Sequence, residues 1–181
     1  GLVQRDVIRI ITPGTVTDAS MLEEGRSNYL GSVFYEAGRA AAAFCDISTG
    51  EFCVAAFEGD AVGHDLNELG RFAPRELVMN KAAAETGAIP DFARKKLGCM
   101  LEMGGDDYEY AECAARICRQ FDLPDVAAAG LDGTPEAVSA AGALLRYIDE
   151  TQKIDMAHIR SIDLFSGGRY MEMDWATRRS L

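Results

Sequence analysis

Apolar residues in this chain gather first in three runs of strand length, then spread out into helical spacings. The runs are Tyr29–Glu36, Arg39–Asp46 and Glu51–Phe57, parted by turn signals at Ala37-Gly38 and Ser48-Thr49-Gly50. Loops that short leave no room for a crossover, so the three runs predict an antiparallel meander. The middle run, Ala40-Ala41-Ala42-Ala43-Phe44, offers small side chains that let another element pack close to the sheet. Upstream, Asp6–Thr12 is rich in β-branched residues and predicts a further strand, closed by Pro13-Gly14. Asp18 then caps a short helix through Met21 and Leu22.

After the meander, helices and strands alternate. Val62–Phe72 carries Val62, Leu66 and Leu69 at helical spacing and is stopped by Pro74. Glu76–Met79 predicts a short strand, Ile89–Leu97 a weak helix and Cys99–Met103 another strand. Asp107–Phe121 places Tyr110, Ala114, Ile117, Cys118 and Phe121 on one helical face. Leu123–Leu131 is an alanine-rich connection without a clear period. Thr134-Pro135-Glu136 is a helix start, with a Thr cap, Pro at the first position and an acid in the first turn. That helix runs to about Thr151 on a stripe of Val138, Ala141, Leu145 and Ile148. Beyond it, Ile159–Phe165 and Tyr170–Asp174 predict two strands around Ser166-Gly167-Gly168, and a helix begins at Ala176. A helix so barely begun buries no face, which predicts that the chain is cut from a longer protein.

The order β-β-β-α-β-α-β-α predicts a ribonuclease H-like α/β fold, a mixed sheet with helices on its faces. Three pieces are expected: an arm over residues 1–18, the domain itself over 19–152, and the start of a following domain over 153–181.

Charge narrows the function. The chain has 29 acidic against 18 basic residues, a net charge of −11, and the acids are spread along its length. Tight binding to phosphates needs clustered Lys and Arg, so strong direct DNA binding by this segment is not expected. The five cysteines, Cys45, Cys53, Cys99, Cys113 and Cys118, form no C-x-x-C pair. Their odd number, and the lack of any apolar run near the ~20 residues of a membrane span, predict a cytoplasmic protein with cysteines in its core. Cys45 and Cys53 are near enough in a hairpin to approach each other across it.

Candidate chemistry is sparse. No G-x-x-x-x-G-K-[ST] loop occurs, and no Gly precedes a Lys anywhere, which excludes Walker-type ATP hydrolysis by this segment. There is no zinc pattern, and His64 and His158 read as surface or capping residues. Asp46-Ile47-Ser48-Thr49-Gly50-Glu51 is the one stretch suggestive of metal chemistry, since ribonuclease H-like nucleases hold divalent ions with carboxylates on adjacent strands. A metal-dependent nuclease using Asp46 and Glu51 is therefore the alternative function. The simpler account is a tight turn, with Asp46 and Ser48 bonding locally and Gly50 at positive φ. Asp106, Asp107, Glu109 and Glu112 read as acids favoured at a helix start, and Trp175 as a packing residue of an adjoining domain.

Several segments together resemble the MutS mismatch repair family. Arg9-Ile10-Ile11-Thr12-Pro13-Gly14-Thr15 is similar to the segment that ends its mismatch-recognition domain, and Asp46–Phe52 to the D-[IV]-S-T-G-[ER]-F hairpin of its connector domain. Leu144-Leu145-Arg146-Tyr147, Thr151-Gln152 and His158-Ile159 resemble the run that leaves the connector. Met173–Leu181 resembles the motif opening the core domain, with Ser180 where the family has Asn; the Asp106–Phe121 helix departs further. The resemblance implies a non-catalytic connector domain that couples mismatch recognition to a distant ATPase and docks MutL, with Arg116 and Arg119 as candidate docking residues. It also implies that ATP, magnesium, mismatched DNA and the second MutS subunit belong to the parent protein, and that this segment itself needs no cofactor.

Overall fold

A computed structural model of the chain describes residues 28–165. The elements expected over Asp6–Thr12, Asp18–Leu22, Tyr170–Asp174 and Ala176–Arg179 lie outside these residues, as does Trp175.

The meander forms as β1 (Tyr29–Glu36), β2 (Arg39–Asp46) and β3 (Glu51–Glu58), with Glu36 opposite Arg39 and Asp46 opposite Glu51. Its first turn needs two left-handed residues, supplied by Ala37 at φ 51° and Gly38 at φ 82°. Helix α1 (Ala61–Phe72) then crosses over, and β4 (Glu76–Met79) pairs parallel to β1. A second crossover through α2 (Lys81–Glu85), α3 (Ala88–Asp91) and a π-turn at Phe92–Lys96 leads to β5 (Met100–Met103), parallel to β4. Next come a 3-10 turn at Gly105–Tyr108, α4 (Tyr110–Phe121), a 3-10 turn at Val126–Ala129 and α5 (Pro135–Thr151). Finally β6 (Asp163–Phe165) pairs parallel to β3. The sheet order is β5-β4-β1-β2-β3-β6. An antiparallel meander extended by parallel strands, with helices on both faces, is the ribonuclease H-like architecture expected from the element order.

Strand alternation divides the core. Val33, Ala42, Phe44, Ala55 and Leu77 face α1 and the short helices, where Phe44 stacks on Phe72 with ring centroids 4.0 Å apart. Leu30, Ala41, Ala43, Phe52 and Val54 face α4 and α5. The small residues of β2 thus let a helix approach on either side, and α5 answers with Ala137, Ala140 and Ala141. Burial on α5 is wider than a single stripe, running from Glu136 to Leu145 and resuming at Tyr147 and Ile148. Cys45 and Cys53 point to opposite faces of the sheet, so they do not meet across the hairpin. All five cysteines are free thiols, and burial pushes Cys99 up to about 11 and Cys113 up to about 12, as befits core residues.

A third, smaller cluster carries two buried polar pairs. Ser32 and Tyr108 share a hydrogen bond of 2.9 Å, and Tyr147 Oη donates to Glu76 Oε1 at 2.5 Å. Glu76 is fully buried. Tyr147→Phe removes its donor without changing shape, and should cost about 1–3 kcal/mol, the penalty of an unsatisfied buried group. A lower urea midpoint at unchanged slope checks this; an unchanged midpoint would show that water reaches Glu76.

Several expectations need correction. In α1 the buried stripe is Ala61, Asp65, Glu68, Leu69 and Phe72, while Val62 and Leu66 are only half-buried. Two acids therefore turn inward where an apolar face was expected. The helix expected over Ile89–Leu97 is broken into α3 and the π-turn, and α2 was not expected at all. The helix expected from Asp107 begins at Tyr110, capped by the Glu109 side chain on Ala111 N and Glu112 N, and Tyr110 faces solvent. Thr134 makes no side-chain cap; its hydroxyl reaches Leu131 O, and its carbonyl accepts from Ala137 N and Val138 N. The strand expected from Ile159 is confined to Asp163–Phe165. His64 is half-buried, stacked on Phe57 at 5.0 Å.

Candidate functional site

The Asp46–Glu51 turn is held by its own residues. Asp46 Oδ1 accepts from Ser48 N at 2.9 Å and from Ser48 Oγ at 2.6 Å, and Gly50 N donates to Asp46 O. Tyr29 Oη donates to Glu51 Oε1 at 3.0 Å; burial, reinforced by the Glu51 charge, raises the tyrosine pKa. Both acids are thus engaged in the hairpin itself. Among the described residues, no three His, Cys, Asp or Glu side chains converge as a metal site requires.

The segment leaving α5 closes over this turn. His158 Nε2 hydrogen-bonds Ile47 O, and Gly50, at φ 83°, lies so close that a Cβ there would fall 2.3 Å from His158 O. Helix α4 supplies the other hold: Gln120 Nε2 donates to Met156 O at 3.0 Å and to Ile159 O at 2.8 Å. Ile159 is buried in the second core cluster, with Ile154, Met156 and Ile162 packed against it. β6 then joins β3, Cys53 opposite Asp163. The exit from the domain is therefore a strap fixed to a hairpin, a helix and a sheet edge.

The α4–α5 surface beside it is charged. Arg146 bridges Asp107 and Glu150, both at 2.9 Å, and Arg116 reaches Asp149 at 3.9 Å. Exposed pairs of this kind contribute roughly 0–1 kcal/mol, so a partner can replace them at little cost. Arg119, one turn beyond Arg116, is exposed.

Residues 28–160, which hold the hairpin, both α4 and α5, and most of the strap, match the family described as MutS domain II. The chain belongs to that family. It is 34% identical over 182 residues to the DNA mismatch repair protein MutS of Desulfosudis oleivorans, covering 100% of this chain and 20% of that protein. With the Symbiobacterium thermophilum MutS the identity is 31%, covering 100% and 21%, and with that of Chloroflexus aurantiacus 33%, covering 99% and 22%. The chain spans about a fifth of the length of these relatives. Among solved structures, the Thermus thermophilus RuvC structure is 14% identical, with a TM-score of 0.46 over 67% of this chain and 96% of that one.

In this MutS domain II, the two residues singled out from sequence, Arg116 and Arg119, fall on one side of α4, and Arg116 is already ion-paired. Sequence reading found the Asp46–Glu51 turn and its local bonds but missed what the turn carries. Gln120, Ile47 and Ile159 gave no signal because their contacts join segments 36–111 residues apart. None of the helices among the described residues is long and apolar enough to cross a membrane.

Proposed function

We propose that this MutS domain II is a non-catalytic connector, a rigid joint through which a MutS protein couples mismatch recognition to its ATPase and docks MutL. The observation that carries the reading is the strap. A segment fixed by Gln120, by the His158–Ile47 bond and by β6 transmits a displacement of the next domain into the sheet instead of absorbing it. In this reading residues 1–18 are the arm of the recognition domain, 19–152 the connector and 153–181 the start of the core. ATP, magnesium, mismatched DNA and the second subunit act through the parent protein, a cytoplasmic one. Arg116 and Arg119 are the proposed MutL contacts, on a surface whose ion pairs exchange readily. The nuclease alternative finds no support in the turn, whose acids are committed to local bonds.

Gly50→Ala in the full-length protein tests the coupling. The added methyl meets the His158 carbonyl and dislodges the strap. Mismatch binding and basal ATPase should hold, while MutL recruitment on mismatched DNA should fall about tenfold, a typical coupling loss. Gly38→Ala is the control: Gly38 has the same positive φ, but open space where the Cβ would go. Equal effects of the two changes would assign the loss to backbone strain and defeat the proposal.

A further inference from the structure

At the opposite end of the sheet from the strap, outside the carboxyl end of β1, lies a cavity of about 380 Å³. In open α/β sheets this is where ligands bind, and the volume is within the range of small-ligand sites, roughly 300–1,000 Å³. Aromatic rings form its walls: Phe34 from β1, Tyr108 from the 3-10 turn and Tyr110 from the first turn of α4. Tyr110 and Met103 are the large hydrophobic side chains exposed among the described residues, and both belong to this end of the sheet. The floor comes from α5. Ser139 is 4% exposed, and no hydrogen bond from its hydroxyl is present among the described residues, so a buried polar group faces an open cavity.

Charge selects the occupant. Glu36 and Glu136 line the cavity against a single base, Arg39, which is already held by Glu58 at 3.2 Å and Glu136 at 3.5 Å. Glu109 caps the helix that carries Tyr110. A phosphate or carboxylate entering here would meet a surplus of negative charge. A guanidinium meets the reverse: ring faces on which its plane stacks, a free carboxylate at the rim in Glu36, and the Ser139 hydroxyl beneath. The chain already shows the preference, since two glutamates hold the Arg39 guanidinium at the edge of the cavity.

We propose that this cavity is a docking site for an arginine side chain presented by a partner protein, stacked between Phe34 and Tyr110 and paired with Glu36. The proposal concerns the chemistry of the occupant and does not depend on MutL being its source.

The test is an amide-resolved NMR titration of the isotope-labelled 181-residue chain with three capped tripeptides, Gly-Arg-Gly, Gly-Gln-Gly and Gly-Glu-Gly, and with adenosine monophosphate. The Arg peptide should give saturable shifts confined to Phe34, Glu36, Tyr110 and Ser139, and the Gln and Glu peptides none. Glu36→Gln, a change at an exposed side chain with no role in packing, should weaken the Arg peptide about fivefold, the effect of one partly exposed charge pair. Tyr110→Ala should weaken it further while leaving the remaining amide spectrum in place. Equal binding of the Gln peptide would make the cavity merely apolar. Shifts from the nucleotide in place of the Arg peptide would make it a nucleotide site. The absence of saturable shifts would leave it without this function. Each of these results overturns the proposal, and none of them touches the coupling test on Gly50.

Discussion

Gly142→Val is expected to lower the thermal midpoint of the domain by about 10 °C, the equivalent of roughly 3 kcal/mol for a domain of this size. Gly142 sits where α4 and α5 cross. A Cβ at this position would fall 2.3 Å from Cys113 Cβ and 2.5 Å from Cys113 Cα. Neither atom can rotate away, so the helices must separate, and the second core cluster opens with them. Ala at 142 should be milder, because a helix gains about 1 kcal/mol when Gly becomes Ala, offsetting part of the clash. The choice of suppressor discriminates between causes. Cys113→Gly should restore much of the loss in Gly142→Ala, whereas Cys113→Ala should restore little, since it keeps the clashing Cβ. Thermal melts of the single and double variants decide it. Full rescue by Cys113→Ala would mean that the sulfur, and not the closeness of the two backbones, sets the crossing.

Asp65→Asn should stabilise the protein at neutral and alkaline pH by about 1–3 kcal/mol, the cost of a buried polar group left unpaired. Asp65 is fully buried in α1, and neither carboxylate oxygen has a hydrogen-bond partner among the described residues. Burial, and after it the charge of Glu68, pushes its pKa well above the ordinary 3.8. The folded state therefore holds this proton more tightly than the unfolded chain does. The stability linked to Asp65 is complete below pH 3.8 and is lost as pH rises through the raised folded value. The asparagine variant cannot ionise, so its advantage should be absent near pH 4 and grow towards alkaline pH. Urea unfolding of both proteins across that range reads the difference. A constant difference at all pH values would show that Asp65 is neutralised by a partner in solution.

What made the fold legible was repetition of local signals. β1, β2 and β3 alternate cleanly between punctuated turns, and α5 opens on Thr134-Pro135-Glu136, so both were expected almost to the residue. The element order then determined the sheet. Local signals failed where tertiary packing overrode them. α1 was read with Val62 and Leu66 inward, since a periodicity argument places acids in water; in the structure the helix is rotated so that Asp65 and Glu68 face the core. The five-residue helix α2 is too short to show any period, and the π-turn at Phe92–Lys96 has no pattern of its own. Tyr110 was placed on a buried face it does not occupy, because the helix starts later than its acids suggest.

The candidate site was legible in halves. Asp46, Ser48 and Gly50 announced a tight turn, and local hydrogen bonding accounts for them. That Gly50 also admits the His158 carbonyl was hidden, because the second task involves a residue more than a hundred positions away. One glycine thus serves two ends, a left-handed turn and a close approach, and only the first is written in its neighbours.

The account rests on the strap being part of the folded domain. Hydrogen exchange measures this directly at the Ile159 amide, which donates to Met156 O at 3.0 Å, and at the β6 amides on the edge of β3. Protection comparable to that of β1 and β2, lost on Gly50→Ala while the meander stays protected, is the predicted result. Exchange of these amides at the rate of unstructured chain in the unmutated protein would contradict it.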